Sequence, residues 1–383
     1  MSGRLSVVLS ASDPDRRWCL GVVTKRTYKV AMGGRLVEAP EQAPLAEEPV
    51  LAEDGVTLAA DTDALLRKPR TDVVVLGNAY PHSGDRKARI SIRVGQNQRE
   101  LCVFGERRIE RGFDGRVIFS PPDHFDKISL DWRSAYGGYD AAALEAYGDP
   151  TSDLRKAAGH STAPEFGLYA YPRNPMGRGY LVEVTSRGID LCKLPLVEDP
   201  RFLLTPEALV AGNSLAWPAC PPPASTAFLP YSFFPRMTLL GMPAPLYDFE
   251  RFSGASFFEV VSGLMNASSL AEEAHVATLF DPRGLQCAAP SMQWATPAPG
   301  TEVELRNIHP RQSSWRFRLG SRVPQMYVRV GTDKPVALSP AIKTIVIEPE
   351  EDKVALVWVG ETVLELPMDP ANLDKVQHAV LWS

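Results

Sequence analysis

The stretch ARISIRV, residues 88–94, predicts a β-strand with one buried face. Ile90, Ile92 and Val94 fall on one side, and arginine and serine alternate with them on the other, which is the period-two pattern of a half-buried strand. The stretch WRFRL at 315–319 alternates in the same way. Around such runs lie 34 prolines and 28 glycines, which punctuate a chain into short elements. The sequence therefore predicts a mainly β protein, with antiparallel, sandwich-like sheets and a few short helices.

A hairpin is predicted near the end of the chain, where apolar runs at 344–347 and 354–359 flank the polar stretch EPEEDK. Helical patterns are few. They predict short helices at 141–147 and 154–160, and one or two more within 257–280.

A proline-rich connection, WPACPPPASTAFLPYSFFP at 217–235, interrupts the chain, because proline fixes φ and removes a hydrogen-bond donor. It predicts a β-rich N-terminal body at 1–216 and a β-rich C-terminal part at 236–383. The alternative is that the connection lies inside one continuous domain.

Composition argues against several classes of partner. The formal net charge is −5 and basic residues form only short clusters, which argues against nucleic-acid binding. No apolar window has the length of a membrane span, and the first residues lack the apolar region of a signal peptide. Five isolated cysteines without a CxxC motif favour free thiols in a reducing compartment, hence the cytoplasm.

No catalytic constellation emerges from the motifs. The six histidines are scattered without ligand spacing, so we expect no catalytic metal and no cofactor. The chain has neither a GxSxG elbow nor a Walker A motif. Acids around Asp131 and Asp140 leave open a hydrolase of unknown substrate, since paired carboxylates serve acid–base chemistry when a cleft unites them.

Two glycine- and aromatic-rich segments resist interpretation as ordinary strands or turns: DWRSAYGGYD at 131–140 and YPRNPMGRGY at 171–180. Their glycines permit positive φ or close backbone approach, so we expect two ordered loops that pack near each other. They either brace the β body or form part of a partner-binding groove. The candidate residues are Tyr136, Gly137, Gly138, Tyr139, Asn174, Pro175, Gly177, Gly179 and Tyr180.

The order of eight segments resembles a bacterial family, domain of unknown function 2169. SAYGGYD and NPMGRGY are similar to its AFGG and NPxGxGF signatures. After the AAP at 288–290, where the family usually reads Asp-Gln, this chain has Ser-Met-Gln-Trp, which adds Trp294 to the candidates. The remaining matching segments are VTKRTY at 23–28, KPRTDVVVLGNAY at 68–80, LCVFGERR at 101–108, FDPRGLQCAAP at 280–290, VELRNIHP at 303–310 and KTIVIEPEEDKVALVWVG at 343–360.

The resemblance implies a non-enzymatic accessory role in type VI secretion. Such a protein is expected to be a cytoplasmic adaptor or chaperone that loads a secreted effector onto the spike or its PAAR-type tip. Edge strands and aromatic loops are suited to that role, because both recur at protein interfaces. The alternatives are the hydrolase and a structural component of the secretion particle.

Overall fold

The structure is a computed structural model that describes residues 5–12, 18–53, 55, 57–82, 84–147, 169–210, 217, 219–231, 233, 236, 282–364 and 375–382. The helices predicted at 154–160 and 257–280 lie outside these residues. The described helices are α1 (Ala141–Tyr147), as predicted, α2 (Ser186–Leu191) and α3 (Pro206–Val210).

The described residues are mainly β, and most strand pairs are antiparallel, which confirms the predicted fold class. The strands are β1 (Ser6–Ser12), β2 (Trp18–Ala31), β3 (Arg35–Glu38), β4 (Val50–Leu51), β5 (Leu58–Ala60), β6 (Thr71–Val75), β7 (Asn78–Ala79), β8 (Lys87–Val94), β9 (Asn97–Phe104), β10 (Ile109–Arg111), β11 (Val117–Phe119), β12 (Ile128–Ser129), β13 (Tyr136–Gly137), β14 (Arg178–Gly179), β15 (Val197–Glu198), β16 (Gln293–Trp294), β17 (Glu302–His309), β18 (Gln312–Arg318), β19 (Pro324–Val330), β20 (Val336–Glu348), β21 (Lys353–Val363) and β22 (Val376–Trp382).

The larger sheet has nine strands and curls into a nearly closed barrel. Its main path runs β1-β2-β21-β20-β19-β22, and β3, β6 and β16 pair at its sides. The two ends of the path meet where the Ser6 hydroxyl lies 3.1 Å from His378 Nε2. Among the described residues β1 and β22 share no ladder of backbone hydrogen bonds, so the sheet approaches closure without completing it.

Strand β20 holds this sheet together by changing partners along its length. Its first residues pair with β19, and residues 344–347 run parallel to β6. The change follows a bulge between Ile342 and Thr344 in the pairing with β21, and a bulge bends a strand and increases its twist. The hairpin predicted at 344–359 is β20–β21, and Asp352 has a φ of 51° in its turn.

The smaller sheet has five strands in the order β15-β9-β8-β17-β18. Ile90, Ile92 and Val94 are buried against the larger sheet in one shared core, as the alternation in ARISIRV predicts. Strands from before and after the proline-rich connection pair in both sheets: β8 with β17, and β2 with β21. Neither half of the chain would keep a complete sheet without the other.

Candidate functional site

The two glycine- and aromatic-rich segments pair with each other in the structure. β13 lies parallel to β14, with Tyr136 opposite Arg178 and Gly137 opposite Gly179. The Arg178 amide donates to the Ala135 carbonyl at 2.9 Å, and the Tyr180 amide donates to the Gly137 carbonyl at 2.9 Å. We name this unit the paired-loop module; it comprises residues 131–147 and 169–182.

Glycine is required where the two segments approach most closely. Gly137 and Gly138 have φ values of 143° and 86°, which residues with a Cβ rarely adopt. A Cβ on Gly137 would lie 2.1 Å from the Asn174 carbonyl oxygen, and one on Gly138 would lie 2.3 Å from the Gly177 carbonyl oxygen. Both obstacles are backbone atoms, so a side chain at either position would push the segments apart.

Buried polar side chains close the paired-loop module from inside. The fully buried Asn174 donates from Nδ2 to the carbonyls of Trp132 and Tyr136, at 2.7 and 3.0 Å. Asp140 caps α1 by accepting from the Ala143 amide at 3.0 Å. The other oxygen of Asp140 accepts from the amides of residues 182 and 183, at 2.9 and 3.2 Å. The module thus satisfies its own backbone groups, as buried polar groups must.

The tyrosines of the module form a small core of their own. Tyr171 lies 5.2 Å from Tyr136 and 5.2 Å from Tyr180, measured between ring centroids, and Trp217 packs against it at 6.1 Å. Burial raises the pKa of Tyr136 and Tyr180. Since these two rings are 4% and 3% exposed, they are out of reach of a partner unless the module opens.

The other candidates from the sequence are mostly covered as well. Gly179 and Pro175 are buried and Gly177 is partly buried, while Tyr139 is exposed. Trp294 does not join the module. It pairs in β16 with Thr71 and donates from Nε1 to the Ser291 carbonyl at 3.0 Å. This placement favours the interpretation that the loops brace the β body, and it points to a docking surface elsewhere on the protein.

Asp131 and Asp140, the acids considered for a hydrolase, have separate structural tasks. The exposed flank of the module holds Asp131, which accepts from the Arg133 amide and from its Nε, each at 3.0 Å. Asp140 is 1% exposed and accepts three backbone hydrogen bonds, as described above.

A buried polar cluster, which the sequence alone did not predict, lies beneath the segments KPRTD and GLQCAAP. Lys68 Nζ lies 2.5 Å from Asp72 Oδ2, and both side chains are buried. The amides of Cys287 and Ala288 donate to the Asp72 carboxylate at 3.0 Å each, and Gln286 Nε2 donates at 2.8 Å. The cluster thereby ties two distant parts of the chain together.

Burial and neighbouring charges shift the pKa values of Lys68 and Cys287 in this cluster. Burial opposes a charge on Lys68, but Asp72, Cys287 and Asp61 together outweigh burial and raise the lysine pKa. Burial, followed by the charge of Asp72, also raises the pKa of the Cys287 thiol. A second buried pair stands close to it, in which Arg236 Nη2 donates to Asp61 at 2.6 Å. In the sequence, the signal for this cluster is the pair of charged residues Lys68 and Asp72, which stand directly before the apolar run at 73–76.

An open groove of about 720 Å³ lies between β3 and β18, strands that belong to the two different sheets. We name it the arginine groove, because five arginines and two glutamates line it in a chain whose net charge is −5. The glutamates are Glu38 and Glu302. Apolar surface is supplied by Leu36 and Trp382, among others. Its arginines are Arg26, Arg35, Arg316, Arg318 and Arg322.

Several of these arginines are open to solvent. The side chains of Arg316 and Arg318 are 57% and 74% exposed, and the described residues offer Arg35 and Arg322 no ion-pair partner. Arg26 pairs with Glu38 and lies 4.7 Å from the centroid of a tryptophan ring. The groove therefore combines positive charge, apolar walls and strand edges, which is the composition of a surface that binds polypeptide.

A comparison with protein families matches residues 15–359 to domain of unknown function 2169, described as an uncharacterised protein conserved in bacteria. The chain belongs to this family. The match to the DUF2169 family covers the five-stranded sheet, the paired-loop module and most of the larger sheet and of the arginine groove, and it confirms the resemblance inferred from the sequence. Strands β1 and β22, the latter with the groove residue Trp382, lie outside the matched residues.

The DUF2169 match carries no activity with it. Neither the curated proteins nor the solved structures gave a significant match to the chain. Within the described residues, no helix has the length and apolarity to cross a membrane, and no group of three or more His, Cys, Asp or Glu side chains is arranged to hold a metal ion.

Proposed function

We propose that this DUF2169 protein is a non-enzymatic adaptor or chaperone that works in the cytoplasm of a bacterium. It binds a type VI secretion effector and loads it onto the spike or its PAAR-type tip. The resemblance of the sequence segments to the DUF2169 family supplies the biological setting. The arginine groove supplies the physical support for a protein-binding role.

The observation that carries the proposal is the meeting of two strand edges in one groove. β3 pairs only with β2, and β18 pairs only with β17, among the strands that the structure describes. An unpaired edge presents a row of backbone donors and acceptors to which another chain can add as a strand. An adaptor needs such a surface, since it must hold a partner firmly without altering it covalently.

The paired-loop module supports the same proposal by a different route. Its internal hydrogen bonds and buried tyrosines hold it rigid, and β15 joins it to the five-stranded sheet through the bridge between Ala135 and Val197. A rigid support lowers the entropy cost of binding. The module is joined to one edge of the five-stranded sheet, and β18 at the other edge of that sheet lines the groove.

Secretion provides the test. A strain that lacks the gene is compared with the wild type for release of the candidate toxin and for assembly of the secretion particle. We expect toxin release to be lost while the particle still assembles, and we expect the tagged chain to co-purify with the toxin and the spike or tip. Loss of particle assembly would favour a structural component instead. Normal toxin release would refute the adaptor.

A further inference from the structure

The free edge of β18 runs up to the arginine groove, which it reaches at Arg316. The Leu319 amide donates to Thr301, on the side of β17, whereas the Arg318 amide donates the other way, to the Gly34 carbonyl at 3.1 Å. Successive residues of a strand point their amides in opposite directions. Arg316 and Ser314, two and four residues before Arg318, therefore direct their N–H and C=O groups away from β17.

That edge is available over a short length. Gly34 closes its C-terminal end, because the Arg318 amide donates to the Gly34 carbonyl and the Arg316 carbonyl lies against Gly34. Before that point, no described strand pairs with the outward side of residues 312–315 or with the Arg316 amide. The available edge can accept one extended segment of a few residues.

Charges alternate across the sheet and stop at this edge. Arg93 of β8 stands opposite Glu304 of β17, and Glu304 stands opposite Arg316 of β18. The Glu304 carboxylate contacts Arg93 at 3.0 Å, Arg306 at 2.9 Å and Arg316 at 2.8 Å. A single carboxylate thus serves three arginines, and the outermost of them, Arg316, faces the place where a sixth strand would lie.

Continuation of this alternation of charges predicts which residues an added sixth strand would carry. Residues directly opposite on neighbouring strands interact, and opposite charges stabilise the pair, so the position facing Arg316 calls for Asp or Glu. Trp315 and Phe317 point to the other face of the sheet and are each 2% exposed. The residues beside the acid therefore lie on the apolar side.

We propose that the arginine groove binds an extended segment of the partner protein in which acidic and apolar residues alternate, and that this segment adds to β18 as a sixth strand. The inference rests on the proposed function, because it names the part of the effector that the adaptor holds. A polypeptide fits better than a nucleic acid, since the edge offers carbonyl acceptors as well as amide donors. The glutamates Glu38 and Glu302 also interrupt the arginines that a phosphate backbone would need.

The test uses the full chain and a labelled peptide in which Glu and Val alternate over about seven residues, with fluorescence anisotropy as the readout. Two peptides serve as controls. One has Lys in place of every Glu, and the other keeps the composition but carries a central proline, which cannot continue a strand ladder. We expect the Glu/Val peptide to bind at least tenfold more tightly than either control.

Two substitutions separate the backbone contact from the charge. Ser314→Pro removes an amide that faces away from β17, where an edge strand tolerates proline, and Arg316→Gln removes the charge at the edge. Each is expected to weaken peptide binding at least tenfold without loss of the folded circular-dichroism spectrum. The matched control is Arg108→Gln, because the Arg108 side chain is 70% exposed, lies outside the groove and has Asp123, at 3.7 Å, as its ion-pair partner among the described residues.

Equal binding by wild type and both groove variants would overturn the inference, as would equally tight binding of the lysine peptide or of a single-stranded oligonucleotide of matched charge. Failure of the proposed function gives a different result. If the peptide fails but the chain still co-purifies with toxin and tip, the adaptor function stands and the segment binds elsewhere. If the peptide binds as expected but toxin release is normal in the deletion strain, the groove stands and the secretion role fails.

Discussion

Substitution of Gly138 by alanine should separate the two reasons for glycine in the paired-loop module, which are the positive φ and the close approach of the two backbones. The residue has a φ of 86°, and a Cβ there would lie 2.3 Å from the Gly177 carbonyl oxygen. Gly115, in the turn between β10 and β11, has a φ of 79° and no atom within 4 Å of the same position. The pair therefore shares a backbone conformation and differs in surroundings.

The magnitudes follow from those two environments. A side chain at positive φ costs about 1–2 kcal/mol, which both alanine variants incur. Gly138→Ala adds overpacking of about 1–3 kcal/mol. It also strains two backbone hydrogen bonds, from the Gly138 amide to Asn174 at 2.9 Å and from Tyr171 to the Gly138 carbonyl at 2.8 Å, each worth about 1 kcal/mol. We expect losses of roughly 3–5 kcal/mol for Gly138→Ala and about 1–2 kcal/mol for Gly115→Ala.

Urea denaturation, followed by tryptophan fluorescence, measures both variants against the wild type. The free energy of unfolding falls linearly with denaturant, so a lower midpoint at an unchanged slope reports lost stability. Equal losses for the two variants would show that the conformation alone decides the cost, and that the close approach within the module contributes nothing.

Three further outcomes are expected. Lys68→Met should destabilise the protein by about 3–5 kcal/mol, because it leaves the buried Asp72 carboxylate without its cation. The control Arg108→Met, which removes one partner of an exposed ion pair, should cost under about 1 kcal/mol. Similar urea midpoints for the two variants would contradict this prediction. The thiol of Cys287 should react with a thiol reagent only after unfolding, since burial raises its pKa; rapid labelling of the native chain would refute that. Burial acts to raise the pKa of Asp199, but hydrogen bonds from its arginine neighbours win and lower it to about 2. The stability that ionised Asp199 contributes is therefore complete above the unfolded pKa near 4 and is lost as pH falls toward 2. The thermal midpoint of Asp199→Asn should change less than that of the wild type over that range. Parallel curves of thermal midpoint against pH for the two proteins would exclude Asp199 as a source of this pH dependence.

Local patterns in the sequence predicted much of the secondary structure. The alternation in ARISIRV and WRFRL places β8 and β18 and tells which side chains face the core, because strand side chains alternate with a period of two. The turn residues between 347 and 354 mark the hairpin β20–β21. These elements depend on short-range rules alone.

The candidate sites needed information that lies far apart in the chain. Arg93 and Arg316 were visible as exposed arginines, but only the insertion of β17 between their strands places Glu304 between them. Tyr136 and Tyr180 were expected either to brace the β body or to form part of a partner-binding groove. They are buried because α2, α3 and Trp217 enclose a second core around Tyr171. Long-range pairing, which a single sequence does not encode locally, decides both cases.

We proposed that the chain is a protein-binding adaptor whose partner lies in the arginine groove. Hydrogen–deuterium exchange of the chain, alone and in complex with the co-purified effector, tests it most directly. The account predicts slower exchange of the outward amides of β18 at Ser314 and Arg316 in the complex, with exchange in β13 and β14 unchanged. Protection confined to the paired-loop module, with β18 exchanging at the same rate in both samples, would contradict it.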